Sequence, residues 1–162
     1  METFRDLGVS EALAAVLADK NIKEPTPIQQ QAIPKILAGT DILGVAPTGT
    51  GKTLAYLLPI LMQLDKDRRE TQAVVLAPTY ELAMQIAGEA RELSQKAGLG
   101  IRVQGLIGGA NIARQIDKLK EKPQLVVGSG SVSSHARASS SSRACASSCS
   151  TSSTACSTTR TT

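Results

Sequence analysis

The sequence predicts an α/β protein built on a parallel sheet with helices packed against both of its faces. Two observations carry that expectation. Short apolar, β-branched runs recur along the first 128 positions, and segments of ten or more residues with helical apolar spacing stand between them. Alternation of this kind is the signature of βαβ units, in which each strand is returned to the sheet by a crossover helix.

The elements follow in order. Residues 10–21 have Ser10 as a plausible N-cap, apolar positions at helical spacing and Asn21 as a stop. A second helix spans 26–39 and ends at Gly39; a short apolar strand, DILGVAP, covers 41–47. After a glycine-rich turn comes the helix 52–64, in which Pro59 must kink the helix or be accommodated by its neighbours. The strand 73–78, the helix 79–98, the strand 101–109, the helix 110–122 and the strand 124–128 complete the pattern. On this count the sheet has four strands and then stops, leaving the apolar strand 124–128 as an open edge prone to aggregation.

Charge divides the chain at Gly128. Residues 1–128 hold all 14 acidic side chains and 15 of the 18 Lys and Arg, whereas 129–162 carries three Arg, no acid, 14 Ser and 6 Thr. The basic balance is therefore largely a property of the tail and does not mark a nucleic-acid face. His135 and all three cysteines, Cys145, Cys149 and Cys156, also lie there. Only one pair has metal-ligand spacing, so no metal site is read from them. The opening residues lack the basic start and apolar centre of a signal peptide, and no apolar run approaches a membrane span. A cytoplasmic protein with no membrane partner is the expectation.

Chemistry concentrates at Ala46-Pro47-Thr48-Gly49-Thr50-Gly51-Lys52-Thr53, directly after the strand ending near Val45. Glycines at 49 and 51 let the backbone turn its N–H groups toward phosphate oxygens, and the helix starting at Lys52 adds its positive end. Lys52 would reach the β- and γ-phosphates, and Thr53 would present its hydroxyl to a magnesium ion. Strand, glycine turn, Lys-Thr and apolar helix occur in the order a nucleotide-phosphate site needs. ATP and Mg²⁺ are the cofactors this reading implies.

Two further stretches have complete local explanations. In EPTPIQ, Thr26 is a plausible N-cap, Pro27 stands at the first helical position, and the Gln29 amide can bond back to the Thr26 N–H. In PTYELA, Pro78 ends a strand, Thr79 caps the next helix and Glu81 sits in its first turn.

Taken as a set, NIKEPTPIQ, APTGTGKT, PTYELA and the pair Gly108–Gly109, in this order and at these distances, resemble the DEAD-box ATP-dependent RNA helicases over residues 4–128. The resemblance implies a RecA-like P-loop NTPase fold, incomplete in this chain. It implies a Q-motif region over 1–30, a partial ATP-binding domain over 31–128 and a tail over 129–162. Gln29 then looks like the residue that hydrogen-bonds adenine, Ile22 stands where the family usually stacks an aromatic on the base, and Phe4 resembles the isolated upstream aromatic. Pro78, Thr79 and Tyr80, with Gly108 and Gly109, look like contacts to an RNA backbone, a sequence-independent grip. The family usually has Arg where Tyr80 stands, and Tyr80 offers hydrogen bonding or stacking in place of charge.

Beyond Gly128 the resemblance implies features that the chain does not show. The RNA-contacting TPGR-type motif, the Asp-Glu-Ala-Asp carboxylates and the Ser-Ala-Thr motif have no match in context, and no acidic residue follows Glu121. No catalytic set is complete, so this chain is expected neither to hydrolyse ATP nor to unwind RNA. The tail's composition points to a frameshift near codon 128, with a genuine Ser/Thr-rich linker as the competing reading. Either way, one Val and no Leu, Ile, Phe or Met predict a disordered tail. Two other function classes stay open: another P-loop enzyme such as a nucleotide kinase, or a non-catalytic nucleotide- or RNA-binding fragment.

Overall fold

A computed structural model of the chain describes residues 2–106, 119–129, 143–150 and 153–159. Helices α1 (Glu11–Asp19), α2 (Pro27–Leu37), α3 (Lys52–Gln63) and α4 (Tyr80–Lys96) alternate with strands β1 (Leu43–Ala46), β2 (Ala73–Ala77) and β3 (Val103–Leu106); β4 (Leu125–Ser129), β5 (Arg143–Ser150) and β6 (Ser153–Thr159) follow. Each element expected over 10–106 forms within a few residues of its predicted ends. Asn21 closes α1 in the left-handed region at φ 61°. Helix α3 runs through Pro59, with Leu54 to Leu61 all buried. A helix apolar on every side belongs in the core, where packing replaces the one hydrogen bond that proline cannot donate. The helix expected over 110–122 lies mostly outside the described residues, as does the end of the strand expected over 101–109.

The sheet order is β1-β6-β5-β2-β4-β3. Strands β2, β4 and β3 pair in parallel, β5 joins β2 in parallel, and β6 runs antiparallel to both β5 and β1. Five strands thus share one direction, including β1, because two antiparallel steps through β6 restore it. The crossovers β1–α3–β2 and β2–α4–β3 both advance toward the same sheet edge. Right-handed connections then place their helices on one face. The register also puts α2 and α4 on a common face: a Cβ on Gly44 would touch Ile28 of α2, one on Gly105 would touch Met84 and Ala87 of α4, and the pairing puts Gly44 and Gly105 on the same side.

Two expectations change. The strand at 124–128 is not an edge. Strand β4 lies between β2 and β3 with all five residues buried, and β1 and β3 form the borders. Among the described residues the sheet also has six strands, not four, because two segments of the tail pair within it. Their order reflects what a ladder needs. Backbone N–H and C=O groups on the inner edges of β1 and β2 require partners, and small Ser, Thr, Ala and Cys residues can supply them without an apolar pattern. Residues 143–150 and 153–159 form strands, and most of the remaining tail expected to be disordered over 129–162 lies outside the described residues.

Polar side chains lock the periphery. Gln124 is fully buried; its Oε1 accepts from the Arg102 N–H at 3.1 Å, and its Nε2 donates to the carbonyls of Lys66 (2.9 Å) and Arg68 (3.1 Å). Ser94 Oγ donates to the Ile101 carbonyl and accepts from the Ile101 N–H, both at 3.0 Å, closing the turn from α4 into β3. Among the described residues no helix is long and apolar enough to cross a membrane.

Helix α1 is tied to α4 by charge. Glu92 accepts from Lys20 and Lys96, each at 2.8 Å. The Lys20 and Lys96 hydrogen bonds hold its carboxyl down at about 2, against an ordinary 4.5. A depressed acid stabilises the fold above its unfolded value and loses that contribution as pH falls through its folded one. The neighbouring Glu89 is raised by burial, so its protonation acts in the opposite sense. Thermal melts of the wild type and Glu92→Gln should therefore converge as pH falls from about 5 to about 2; a constant gap across that range would rule out the ion-pair account.

Candidate functional site

Ala46 ends β1, and residues 47–51 form the turn into α3. The conformation demands glycine at two positions: Gly49 and Gly51 have φ of 79° and 82°. Gly51 is constrained a second time, since a Cβ there would lie 2.4 Å from Gln29 Nε2. Its left-handed backbone is the N-cap of α3, so the turn delivers the chain directly into the positive end of that helix.

The loop's carbonyls are held by side chains. Lys52 Nζ donates to the Ala46 carbonyl at 2.6 Å and also to that of Pro47. Thr50 Oγ1 donates to the Pro47 carbonyl at 2.8 Å. Helix α2 secures the other end: Thr26 Oγ1 donates to the Thr50 carbonyl at 2.9 Å, and Gln29 Nε2 to the Gly51 carbonyl at 3.0 Å. Carbonyls at 46, 47, 50 and 51 thus all accept from side chains. With these four acceptors occupied the loop presents less competing negative surface, and its ammonium lies in the turn that would receive an anion.

Gln29 is 1 % exposed and plays the local role expected of it: its Oε1 accepts the Thr26 N–H at 2.9 Å. The same amide bonds Gly51, 22 residues away, which no local reading of EPTPIQ contains. Ile22 is half-buried and packs against the hydrophobic core, and Phe4 is fully in it. Thr53 lies in the first turn of α3.

Pro78, Thr79 and Tyr80 stand exposed where β2 gives way to α4, at the same carboxyl edge of the sheet as the loop. Thr79 Oγ1 accepts the Leu82 N–H at 3.3 Å, the cap expected from the sequence. Tyr80 is 46 % exposed. Gly108 and Gly109 lie outside the described residues. A hollow of about 630 Å³ bounded by Arg91, Arg102, Gln104 and Glu121 lies along β3, away from all of these groups. Among the described residues no three acidic, histidine or cysteine side chains converge as a metal-binding group.

The arrangement fits known proteins closely. The family model for DEAD/DEAH box helicases matches residues 26–148, reaching past Gly128 into β5. The DEAD-box ATP-dependent RNA helicase CshC of Bacillus cereus is 54 % identical over 107 residues, 66 % of this chain and 27 % of that protein. The ATP-dependent RNA helicase DeaD of Haemophilus influenzae is 44 % identical over 136 residues, 83 % of this chain and 22 % of that protein. Among solved structures, a DEAD box protein from Methanococcus jannaschii superposes with a TM-score of 0.69 at 30 % identity, over 78 % of this chain and 34 % of that one. The RNA helicase Prp28 of Chaetomium thermophilum, bound to ADP, gives 0.71 at 36 % identity over 80 % and 32 %. The chain spans about a quarter of the curated relatives it matches. It belongs to the DEAD/DEAH box helicases and represents part of their N-terminal, RecA-like domain.

Proposed function

We propose that this chain is the opening portion of an ATP-dependent RNA helicase that grips ATP through the Ala46–Thr53 loop and the Q-motif region, and RNA through its backbone. The observation that carries the reading is the joint between the two: Gln29 and Thr26 of α2 bonded to Gly51 and Thr50 of the loop. An adenine held near Gln29 and phosphates held by the loop would belong to one rigid unit. The Prp28 relative, solved with ADP, supports the same assignment.

The residues present fit the nucleotide. Backbone N–H groups of residues 49–53 and the Lys52 ammonium would take the phosphates, and Ile22 would lie against the base. Lys52 exchanges two neutral carbonyls for charged oxygens, a stronger partner for an ammonium. Thr53 would supply one hydroxyl to Mg²⁺, which bridges phosphate oxygens and neutralises developing charge when bound. Exposed Pro78, Thr79 and Tyr80, with Gly108 and Gly109, would follow an RNA strand by hydrogen bonding and stacking, without reading bases.

Turnover needs more than a cradle. A water must be positioned and charge at the γ-phosphate stabilised, yet no carboxylate follows Glu121 in these 162 residues. The chain therefore binds ATP without hydrolysing it. Titration with a fluorescent ATP analogue should show saturable binding that ATP displaces and GTP displaces weakly, with that preference lost in Gln29→Ala. Equal displacement by GTP in the wild type would remove Gln29 from the adenine site; RNA-stimulated phosphate release would overturn the non-hydrolytic part.

A further inference from the structure

Among the described residues, the phosphate-loop strand is laddered to the rest of the sheet only through the tail. Strand β1 forms no ladder with β2. Its four residues pair with Thr154–Ser157 of β6, β6 pairs with β5, and β5 pairs with Ala73–Leu76 of β2. Two strand positions, a gap of about 14 Å between β1 and β2 at ordinary strand spacing, are filled by residues 143–150 and 153–159.

Burial divides the sheet at the same place. Strand β4 is buried throughout, and Ala73, Val75 and Ala77 of β2 are buried. In β1, by contrast, Leu43 is 74 % and Val45 63 % exposed. Side-chain burial anchors β2 and β4; β1 has less of it, and within the sheet it is held by its backbone ladder, with α2 bonded to the loop that follows it. Its one edge partner is a hairpin joined to the core strands by four pairs.

We infer that residues 143–159 act as a strand plug whose docking sets the position of the phosphate loop, and that β1 and the hairpin open together, as a unit separate from β2, β4 and β3. The tail is then a control element of the nucleotide loop: whatever releases the hairpin also frees the strand that ends at Ala46. Local opening units of this kind have their own exchange free energies, below the global one.

Native-state hydrogen exchange on the full, unmodified chain tests this without any nucleotide, and so independently of the functional reading above. Amides of 43–46 and 153–159 should show protection within about threefold of each other, and at least about tenfold below those of 73–77 and 125–129. Three outcomes would overturn the inference: 43–46 protected like 73–77 while 153–159 exchanges freely, one common protection across all four segments, or free exchange in all of them. A second measurement checks register. With the three native cysteines replaced by serine, Val45→Cys/Ala155→Cys should cross-link within one chain far faster than Val45→Cys/Thr159→Cys. Equal rates, or links only between chains, would remove the plug from this position.

Discussion

Lys52→Ala should lower affinity for an ATP analogue by at least about a hundredfold, close to 3 kcal/mol of binding free energy, while leaving the fold nearly unchanged. The two halves of that expectation have separate physical sources. A phosphate group gains most from a charge held at hydrogen-bond distance in a partly enclosed turn, where the effective dielectric lies well below that of water. Alanine supplies neither charge nor donor. In the chain without nucleotide, the Lys52 ammonium bonds the Ala46 and Pro47 carbonyls, but Pro47 is exposed. Water can take over there, so the loss to stability should stay within about 1 kcal/mol. Fluorescence titration and a thermal melt on the same sample separate the effects. Unchanged affinity in a folded Lys52→Ala chain would remove the loop from the nucleotide site; a large fall in melting temperature would show that the lysine's main work is structural.

Much of this geometry is legible from sequence because it is local. The positive φ at Gly49 and Gly51, the cap at Thr79 and the stop at Asn21 each follow from residues within a turn of one another. The parallel direction of β2, β3 and β4 follows from apolar runs and crossover lengths, but the place of β4 between the other two does not. What escaped is what depends on distant partners. Gln29 reads as a complete capping residue, and only the fold shows that its remaining donor reaches Gly51. Ile22 invites a reading as a base-stacking substitute, and the fold adds that the side chain also packs against the core. The tail escaped for another reason: strand pairing requires backbone groups and open neighbours more than any particular side chain, and the open neighbours were two strands elsewhere in the chain.

The contrast between the loop's two glycines gives a sharper test of the Gln29 joint. Both carry positive φ, so alanine at either should cost about 1–2 kcal/mol in backbone strain. Nothing lies within 4 Å of a Cβ on Gly49, and strain is the whole expected effect there. On Gly51 the Cβ would meet Gln29 Nε2 at 2.4 Å, with Gln29 Cδ and Thr26 Oγ1 each at 3.3 Å. The amide must move, and it gives up a bond to the Gly51 carbonyl worth about 1 kcal/mol. Gly51→Ala should therefore destabilise by about 2–4 kcal/mol in total. The excess belongs to the amide, so it should disappear when the amide does. In a Gln29→Ala background, Gly51→Ala should cost no more than Gly49→Ala, a coupling of about 1–2 kcal/mol, whereas the Gly49→Ala cost should be the same in both backgrounds. Urea melts of the six chains measure every term. Equal costs for the two glycines in the wild-type background would mean that α2 and the loop are not joined at Gln29, and would separate the adenine-binding assignment from its structural support.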